Sequence, residues 1–468
     1  MGKGRLACSK KRGKTFYYAI YQVLLVLILP FSLLFLLVRI ILRPPYRSGI
    51  AQRFGLYPKG YFKPLQGKRV FWVHAVSVGE VISSGVLVQS LREQYPDAAI
   101  VFSTVTPTGQ AAARRRLQGV DLFVYFPFDL IWVTRSLVRR ISPAIFIFFE
   151  TEVWPNCLLS LSEKGVPAIM LNGRISARSF RRYRLVRFFL RHVLNGVSLF
   201  LMQTEGDVER IVEMGAPPER VERTGNMKYD QAVSGRTGER AGDLDTKHEE
   251  TQIRAELRLR ESEIFMIAGS THEGEEKAVL EAFSLIAASG PRPVLLIAPR
   301  HLERLTRVEE LITQEGYLSV RKTRMRDSGS DRDKEKPEII LLDTLGELDR
   351  YYPVADLIFV GGSLVPVGGH NVLEVAACRK PVFFGPHMKN FQEISDQLQR
   401  SGGGISVSDG KTLGERMAWL MLHPEEYEKK GESAYLVVLN NLGAVERNLD
   451  RISKWVDRIE IGLEIHSG

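Results

Sequence analysis

Apolar and polar positions alternate in a regular order from residue 69 onward. Short runs that are almost wholly apolar are separated by longer stretches with apolar residues at helical spacing. Strands of this kind, separated by helices, are typical of parallel sheets covered on both faces. The predicted strands are RVFWVHAV, AIVFSTV, DLFVYF, AIFIFFE, PAIMLNG, LFLMQT and VERTG, followed by IFMIAGS, VLLIAPR, EIILLDT, LIFVGGS and KPVFFG. The chain is therefore predicted to have an α/β fold.

The order is interrupted at residues 230–263, which are polar and lack periodicity, and which predict a linker. A chain of 468 residues is too long for one ordinary core. We expect two doubly wound Rossmann-like domains facing a cleft. The predicted segments are a basic tail (1–15), a membrane-anchor helix (16–43), an N-terminal domain (44–229), the linker (230–263), a second domain (264–440) and a C-terminal helix (441–468). The polar run 324–336 is predicted to be a surface loop.

The segment 16–42 contains a single charged residue, Arg39. It exceeds the roughly 20 residues that cross a bilayer, and no small-residue cleavage site follows it. A buried core helix is the alternative, but the pattern favours a single uncleaved anchor. Basic residues flank both ends, so the distribution of charge does not decide its orientation.

Composition narrows the classes of partner. The chain is 44% hydrophobic and carries a net charge of +10, which favours anionic partners. Cys8, Cys157 and Cys378 show no paired spacing. This argues against a disulfide framework or a zinc site and fits a reducing compartment.

Polar residues stand where predicted strands end, and ligands of open α/β sheets bind there. In the first half these are acids, Glu80 and Glu150, with Lys228 after VERTG. In the second half they are Arg300 and the glycine turn 361–363. The asymmetry indicates chemistry in the first domain and a phosphate in the second.

The motif GGHNVLE (368–374) is the most informative. Its glycines allow close backbone approach, Asn371 is predicted to open a helix that favours an anion, and Glu374 is placed to accept from ribose hydroxyls. An ordinary glycine turn with an Asn N-cap is the alternative, but the preceding turn GGS favours a ligand site. The pattern is not GxGxxG, so a nicotinamide site is disfavoured.

Two other strand ends are candidates for nucleotide binding. Pro299-Arg300 ends a buried strand, and Arg is a common bidentate partner of phosphate. The segment Leu345 to Leu348 starts a helix, where a backbone N–H or Glu347 is placed to read a base. A surface arginine and a plain helix cap are the respective alternatives.

The acids of the first half have competing interpretations. Glu80 opens a helix, so a capping role that lowers its pKa is the alternative to a general base. Glu150 and Glu152 follow an aromatic-rich strand, and such surroundings raise a carboxyl pKa. The stretch 178–194 interleaves arginines with aromatics, which suits anionic lipid or lipid phosphates; a surface helix with one core face is the alternative.

Seven motifs occur in a fixed order: HAVSVGE, FFETEVWPN, GNMKYD, AGSTHEGEE, LLIAPRHLER, LLDTLGEL and GGHNVLE. Together they resemble the Kdo (3-deoxy-D-manno-octulosonic acid) transferases over roughly residues 45–440. The resemblance implies a GT-B fold and inverting, metal-independent transfer of Kdo from CMP-Kdo to the lipid A precursor, lipid IVA. It implies no cofactor and no nucleic-acid partner. It further implies the cell inner membrane, with the catalytic domains on the cytoplasmic side.

The resemblance also implies roles for individual residues. Glu80 matches the general base, and Glu150 and Lys228 match positions that stabilise the transition state. The positions that match CMP-binding residues are Pro299, Arg300, Gly346, Glu347, Leu348, Asn371, Val372, Leu373 and Glu374. Three alternatives stay open: a GT-B transferase that uses a UDP-sugar and a membrane lipid acceptor, a non-enzymatic membrane-anchored scaffold, and a dinucleotide oxidoreductase.

Overall fold

The chain forms two compact units in the computed structural model, which describes residues 17–31, 34, 38, 47–234, 243–290, 292–326 and 338–466. The first unit comprises Met1–Met227 with Gly443–Gly468, and the second comprises Lys228–Leu442. The predicted basic tail, parts of the predicted anchor (16, 32–33, 35–37 and 39–43) and most of the predicted loop (327–336) lie outside the described residues.

The first unit contains a parallel sheet of seven strands among its described residues, in the order β3-β2-β1-β4-β5-β6-β7. The strands are β1 (Val70–His74), β2 (Ala99–Thr104), β3 (Leu122–Tyr125), β4 (Ile145–Phe149), β5 (Ala168–Gly173), β6 (Leu199–Met202) and β7 (Val221–Arg223). Residues 17–31 are helical (α1). The other helices are α2 (Ile50–Arg53), α3 (Val78–Gln94), α4 (Pro107–Arg116), α5 (Ile131–Ile141), α6 (Pro155–Glu163), α7 (Ala177–Leu185), α8 (Arg187–Leu194) and α9 (Glu205–Met214).

Burial on both faces explains why these strands are continuously apolar. Along β1, Val70 and Trp72 pack into one core, while Phe71 and Val73 pack into another on the opposite face. Each side chain is at most 2% exposed. Successive strand residues point to opposite faces, so a strand covered on both sides needs an apolar residue at every position.

The second unit repeats the design, with a parallel sheet of seven strands in its described part and the order β10-β11-β9-β8-β12-β13-β14. The strands are β8 (Ile264–Thr271), β9 (Pro293–Pro299), β10 (Ser319–Arg321), β11 (Ile339–Leu341), β12 (Leu357–Val360), β13 (Val382–Phe384) and β14 (Gly404–Ser406). The helices are α10 (Lys228–Val233), α11 (Asp243–Glu256), α12 (Glu275–Ser289), α13 (Leu305–Gln314), α14 (Leu348–Tyr351), α15 (Leu373–Ala376), α16 (Gln392–Ser401), α17 (Gly410–Met421) and α18 (Pro424–Leu439). A final helix, α19 (Ala444–His466), belongs to the first unit.

The twelve predicted strands are confirmed, and the sequence pattern missed β10 and β14. Both are three residues long and only partly buried, so they carry no continuous apolar run. The segment predicted as a linker, 230–263, lies in the second unit. Its polar composition hides α11, because among the described side chains of this helix only that of Ile253 reaches the core, with Leu257 just after the helix.

The N-terminal helix α1 packs on the first unit through its aromatic side chains. Tyr17 lies 5.5 Å from Phe188 and Tyr21 lies 5.4 Å from Phe189, between ring centroids. The Tyr21 hydroxyl donates a 2.9 Å hydrogen bond to Asp129. Within the described residues, no helix combines the length and hydropathy of a membrane span.

A buried carboxylate fixes the loop after β12 in the second unit. The side chain of Glu275 accepts hydrogen bonds from the backbone N–H groups of His272, Gly362, Ser363 and Leu364, at 2.6–2.9 Å. Glu275 is fully buried. Glycine is required at position 361, because a Cβ there would lie 2.8 Å from the Glu275 carboxylate.

We expect Glu275→Gln to lower the free energy of unfolding by about 3 kcal/mol or more, because an amide cannot satisfy all four N–H donors. Urea denaturation measures the difference. Glu273→Gln is the matched control, since this exposed side chain is paired with exposed Arg307 and should cost only about 0.5 kcal/mol. Equal effects of the two substitutions would contradict this role of Glu275.

Candidate active site

Glu80 lies in the first turn of α3, directly after β1. Its Oε2 accepts from the N–H of Val76 at 2.8 Å, and its Oε1 accepts from the N–H and hydroxyl of Ser77 at 3.2 and 2.7 Å. Ser77 in turn accepts from the N–H of Glu80, which completes a capping box. The capping role considered from the sequence is thus present. Of about four acceptor positions on a carboxylate, one on Oε2 stays open to a ligand.

The pKa of Glu80 is nevertheless raised. Burial is the main cause, and the nearby charge of Glu150 adds to it. These effects outweigh the hydrogen bonds from Val76 and Ser77, which lower the pKa. The expectation that capping lowers the pKa overall is therefore wrong, because only 9% of the residue remains exposed to solvent.

Glu150 and Glu152 lie beside Glu80 because β4 pairs with β1. Burial raises the pKa of Glu152 to about 7, with repulsion from Glu80 and Glu150 also acting to raise it. The backbone of Glu150 has a φ of 53°. This left-handed conformation costs on the order of 1–3 kcal/mol in a residue with a Cβ, and such strain is common at functional sites.

The strand order explains why these acids meet. From β1 the sheet extends through β2 in one direction and through β4 in the other. The boundary between β1 and β4 is the switch point, and open α/β sheets bind ligands at such points. Glu80 follows β1 and Glu150 follows β4.

The second unit holds Lys228, which the sequence assigned to the N-terminal domain. It is the first residue of α10 and lies with its Nζ 4.9 Å from the ring centroid of Phe391. A cation over an aromatic face is attracted by the ring quadrupole, so Phe391 helps to orient the ammonium group.

The glycine turn 361–363 does not offer its N–H groups to a ligand. The N–H groups of Gly362 and Ser363 donate to Glu275. The expectation that this turn strengthens a phosphate site is therefore wrong. A carboxylate of the protein already occupies the position that an anion would take.

Arg300 and a group of histidines lie at the carboxyl ends of β8, β9 and β12. Pro299 is buried as the last residue of β9, and Arg300 after it is exposed. His272 follows β8, and its Nε2 lies 2.8 Å from Nε2 of His370. The ring of His301 packs edge-on to His272 at 5.5 Å. The sequence pattern did not single out these histidines as site residues; their positions after predicted strands were the available signal.

Glu347 is the N-cap residue of a short helix, and its side chain is held by an ion pair and a hydrogen bond. Its Oε2 accepts from Lys322 Nζ at 3.1 Å and from the hydroxyl of Thr344 at 2.9 Å. Lys322 also pairs with Glu256 of α11 at 2.9 Å. Although burial acts to raise the pKa of Glu347, the bonds to Lys322 and Thr344 lower it overall.

The residues on either side of Glu347 are also predicted site residues. Gly346 has a φ of 85°, a conformation that would be strained in a residue with a side chain. Leu348 is the first residue of α14.

The GGHNVLE segment differs from its predicted form. The helix begins at Leu373 rather than Asn371 and has only four residues, Leu373–Ala376. The side chain of Asn371 donates to Glu374 at 2.9 Å and accepts from the N–H of Leu373 at 3.2 Å. Val372 is the N-cap. A helix of one turn has only a small dipole, so the prediction that its N-terminus favours an anion is not supported. The hydrogen-bonded pair of Asn371 and Glu374 is the main feature of this segment.

Among the described residues, no group of three or more His, Cys, Asp or Glu side chains is arranged to hold a metal ion. Neither of the described cysteines, buried Cys157 and half-buried Cys378, forms a disulfide bond.

Two comparisons with known proteins indicate the same family. Residues 48–231 match the family described as 3-Deoxy-D-manno-octulosonic-acid transferase (kdotransferase). A 3-deoxy-D-manno-octulosonic acid transferase of Haemophilus influenzae is 34% identical over 441 residues, which cover 94% of this chain and 98% of the relative.

Solved structures with low identity show the fold. A UDP-GlcNAc 2-epimerase from Neisseria meningitidis is 14% identical, with a TM-score of 0.57 over 82% of this chain and 100% of its own. A glycosyltransferase from Rickettsia africae is 12% identical, with a TM-score of 0.53 over 83% of this chain and 99% of its own. The two-sheet architecture is therefore of the GT-B-like type.

We expect Glu152→Gln to stabilise the protein at pH 8 but not near pH 4.5. With a folded pKa of about 7, above the ordinary value for Glu, the folded state retains a proton that the unfolded state releases. Wild-type stability therefore falls as the pH rises between these values, and the amide removes that loss, worth about 1–3 kcal/mol at pH 8. Denaturant unfolding at the two pH values measures the effect.

Glu219→Gln is the control, because this side chain is exposed and lies after α9. It should change stability little and equally at both pH values. An equal change for Glu152→Gln at pH 4.5 and pH 8 would show that Glu152 is not forced toward its neutral form in the folded protein.

Proposed function

The chain belongs to the Kdo transferase family, and we propose on this basis that it moves Kdo from CMP-Kdo to a 6′-hydroxyl of lipid IVA. It is a glycosyltransferase of lipopolysaccharide biosynthesis. The observation that carries the mechanism is the buried carboxylate of Glu80, with its raised pKa, beside the strand switch point of the first unit.

Glu80 acts as the general base of an inverting displacement. A sugar hydroxyl is a poor nucleophile, so a carboxylate must take its proton during attack. The open acceptor position on Oε2 suits that hydroxyl, while Val76 and Ser77 hold the carboxylate in place. A raised pKa strengthens the base at neutral pH. The transferred proton lies on Glu80 after the step.

The second unit binds the donor through the strand ends of β9, β11 and β12. Arg300 is exposed after β9 and meets the phosphate, which supports a leaving group without a metal ion. The segment Gly346–Leu348 and the bonded pair Asn371 and Glu374 contact the rest of CMP. The bond from the anomeric carbon to the phosphate oxygen breaks as the acceptor oxygen attacks, and CMP leaves with the electron pair.

Glu150 and Lys228 stabilise the charges that develop in transfer. Glu150 has a strained, left-handed backbone directly after β4, and such strain is common at functional sites. A carboxylate suits the positive character that develops on the sugar ring. The ammonium group of Lys228 suits the carboxylate or phosphate of the donor.

Attachment to the inner membrane occurs through the N-terminal segment 16–43, with both units on the cytoplasmic side. The described residues of α1 support this assignment, because large apolar side chains including Val23, Val26 and Leu27 are 57–62% exposed. Phe188 of α8, which packs beside Tyr17 of α1, is 57% exposed, and Leu185 at the end of the arginine-rich helix α7 is 78% exposed. Apolar side chains interleaved with arginine suit an anionic lipid surface.

We expect purified full-length protein to add whole Kdo units to lipid IVA from CMP-Kdo in the presence of excess chelator, as read by mass spectrometry. CMP should compete with the donor, and UDP should not. Glu80→Gln should lower kcat by about 100- to 10,000-fold, because proton transfer contributes on this scale, with CMP affinity retained.

The capping role of Glu80 requires a matched control. Thr204→Ala removes the N-cap of α9 at a cost of about 1 kcal/mol in stability, and it should leave activity within a few-fold. A folded Glu80→Gln variant with wild-type kcat would exclude Glu80 as the base. Product formation with a UDP-sugar instead of CMP-Kdo would replace the donor assignment.

Charge reversal on α7 should affect the acceptor and not the donor. With Arg181, Arg182 and Arg184 replaced by Glu, we expect the KM for lipid IVA to rise at least tenfold, because exposed arginines there meet its phosphates. CMP affinity should not change. The control replaces the exposed Arg114, Arg115 and Arg116 of α4, with the same change in net charge. An equal rise in KM for both triple variants would contradict a specific role of α7.

A further inference from the structure

Two histidines form an in-line pair beside Arg300, and the mechanism above leaves them without a role. Nε2 of His272 lies 2.8 Å from Nε2 of His370. The ring centroids are 5.1 Å apart and the ring planes differ by 7°. The rings therefore lie edge to edge in nearly one plane, with one hydrogen bond along their common axis.

The position of the pair is set by the sheet. The strand order places β8 between β9 and β12, so the switch point of the second unit lies between β8 and β12. His272 follows β8 and His370 lies in the loop after β12. The loop can approach so closely only because residue 362 is glycine. A Cβ there would lie 2.8 Å from Cδ2 of His370 and 3.4 Å from Cδ2 of His272.

A hydrogen bond between two imidazole nitrogens contains a single proton. In a neutral pair, one ring donates from Nε2 and has a bare Nδ1, while the other accepts at Nε2 and has an Nδ1–H. One further proton would fill the bare Nδ1. The pair would then carry one positive charge, keep its central hydrogen bond and present an N–H at each outer end.

Burial, together with neighbouring positive charges, keeps the free pair neutral at pH 7. Burial lowers the pKa of His370 to about 4, and the positive charge of Arg300 and the neighbouring His272 and His301 act in the same direction. Burial also lowers the pKa of His272; His301 and Arg304 act with it, while Glu275 and Glu276 oppose it. An anion placed at Arg300 would offset this positive field and favour protonation of the pair.

We propose that the His272–His370 pair takes up a proton from solvent when the phosphate of the nucleotide binds, and so forms a cationic phosphate subsite. This rests on the proposed function, in which the second unit binds CMP-Kdo. The donor phosphate is a monoanionic diester. When the sugar C–O bond breaks, its electron pair stays on the phosphate oxygen, and CMP gains a negative charge. The protonated pair compensates that charge, and its proton returns to solvent when CMP leaves.

Calorimetric titration of the full chain with CMP tests the subsite. Titrations in buffers of different ionisation enthalpy give the number of protons taken up on binding. At pH 7 we expect wild type to take up about one proton more than His370→Gln, because an amide preserves a hydrogen bond but cannot be protonated. The ratio of wild-type to variant CMP affinity should rise about 50- to 100-fold from pH 8 to pH 6, as uptake of about one extra proton requires.

Three controls separate the subsite from other effects. His272→Gln should behave as His370→Gln does, so the test remains valid if one of the two variants fails to fold. His248→Gln, at an exposed position on α11, should match wild type. Cytidine lacks the phosphate, so it should bind wild type without the extra proton.

The outcomes are distinguishable. Equal proton uptake by wild type and both glutamine variants, or the same uptake with cytidine, would overturn the subsite and leave the donor assignment intact. A wild-type protein that is folded but binds no CMP would overturn the donor assignment and the subsite together.

Discussion

A parallel strand pair can be connected only by a crossover, so the chain in each unit returns to the same edge of the sheet after every strand. All described strand pairs of both sheets are parallel. Residues that follow different strands are thereby gathered at one edge. Glu80 meets Glu150 in the first unit, and His272 meets His370 in the second, for this reason.

Burial gives the gathered groups their chemistry. Burial raises the pKa values of Glu80 and Glu152, which follow β1 and β4, and repulsion from neighbouring carboxylates adds to the rise. In the second unit, burial and the positive charge of Arg300 lower the pKa of His370. In the proposed mechanism, the raised pKa strengthens Glu80 as a base in the first unit, and the histidine pair of the second unit gains a positive charge when the phosphate binds. The division of labour is acidic in the first unit and basic in the second.

Two glutamates occupy equivalent places in the two units, one with a structural role and one with a proposed catalytic role. They differ in the hydrogen bonds that their carboxylates accept. Glu275 and Glu80 both begin helices after a strand. All acceptor positions of Glu275 are taken by backbone N–H groups, which makes it a structural anchor. Glu80 is held on three sides and keeps an open position. The same residue type at the same topological place thus serves two purposes.

The sequence by itself determined the α/β class, twelve of the described strands and the strand ends at which the acids and Arg300 stand, because an apolar run is required wherever a strand is covered on both faces. The seven motifs that resemble those of the Kdo transferases are also visible in the sequence alone. Only the tertiary structure decided the strand order, which makes β4 the neighbour of β1 and β12 the neighbour of β8. It likewise decided that the GGS turn binds Glu275, that α11 belongs to the second unit and that two histidines 98 residues apart share a hydrogen bond. These features depend on long-range pairing, which leaves no local periodicity in the chain.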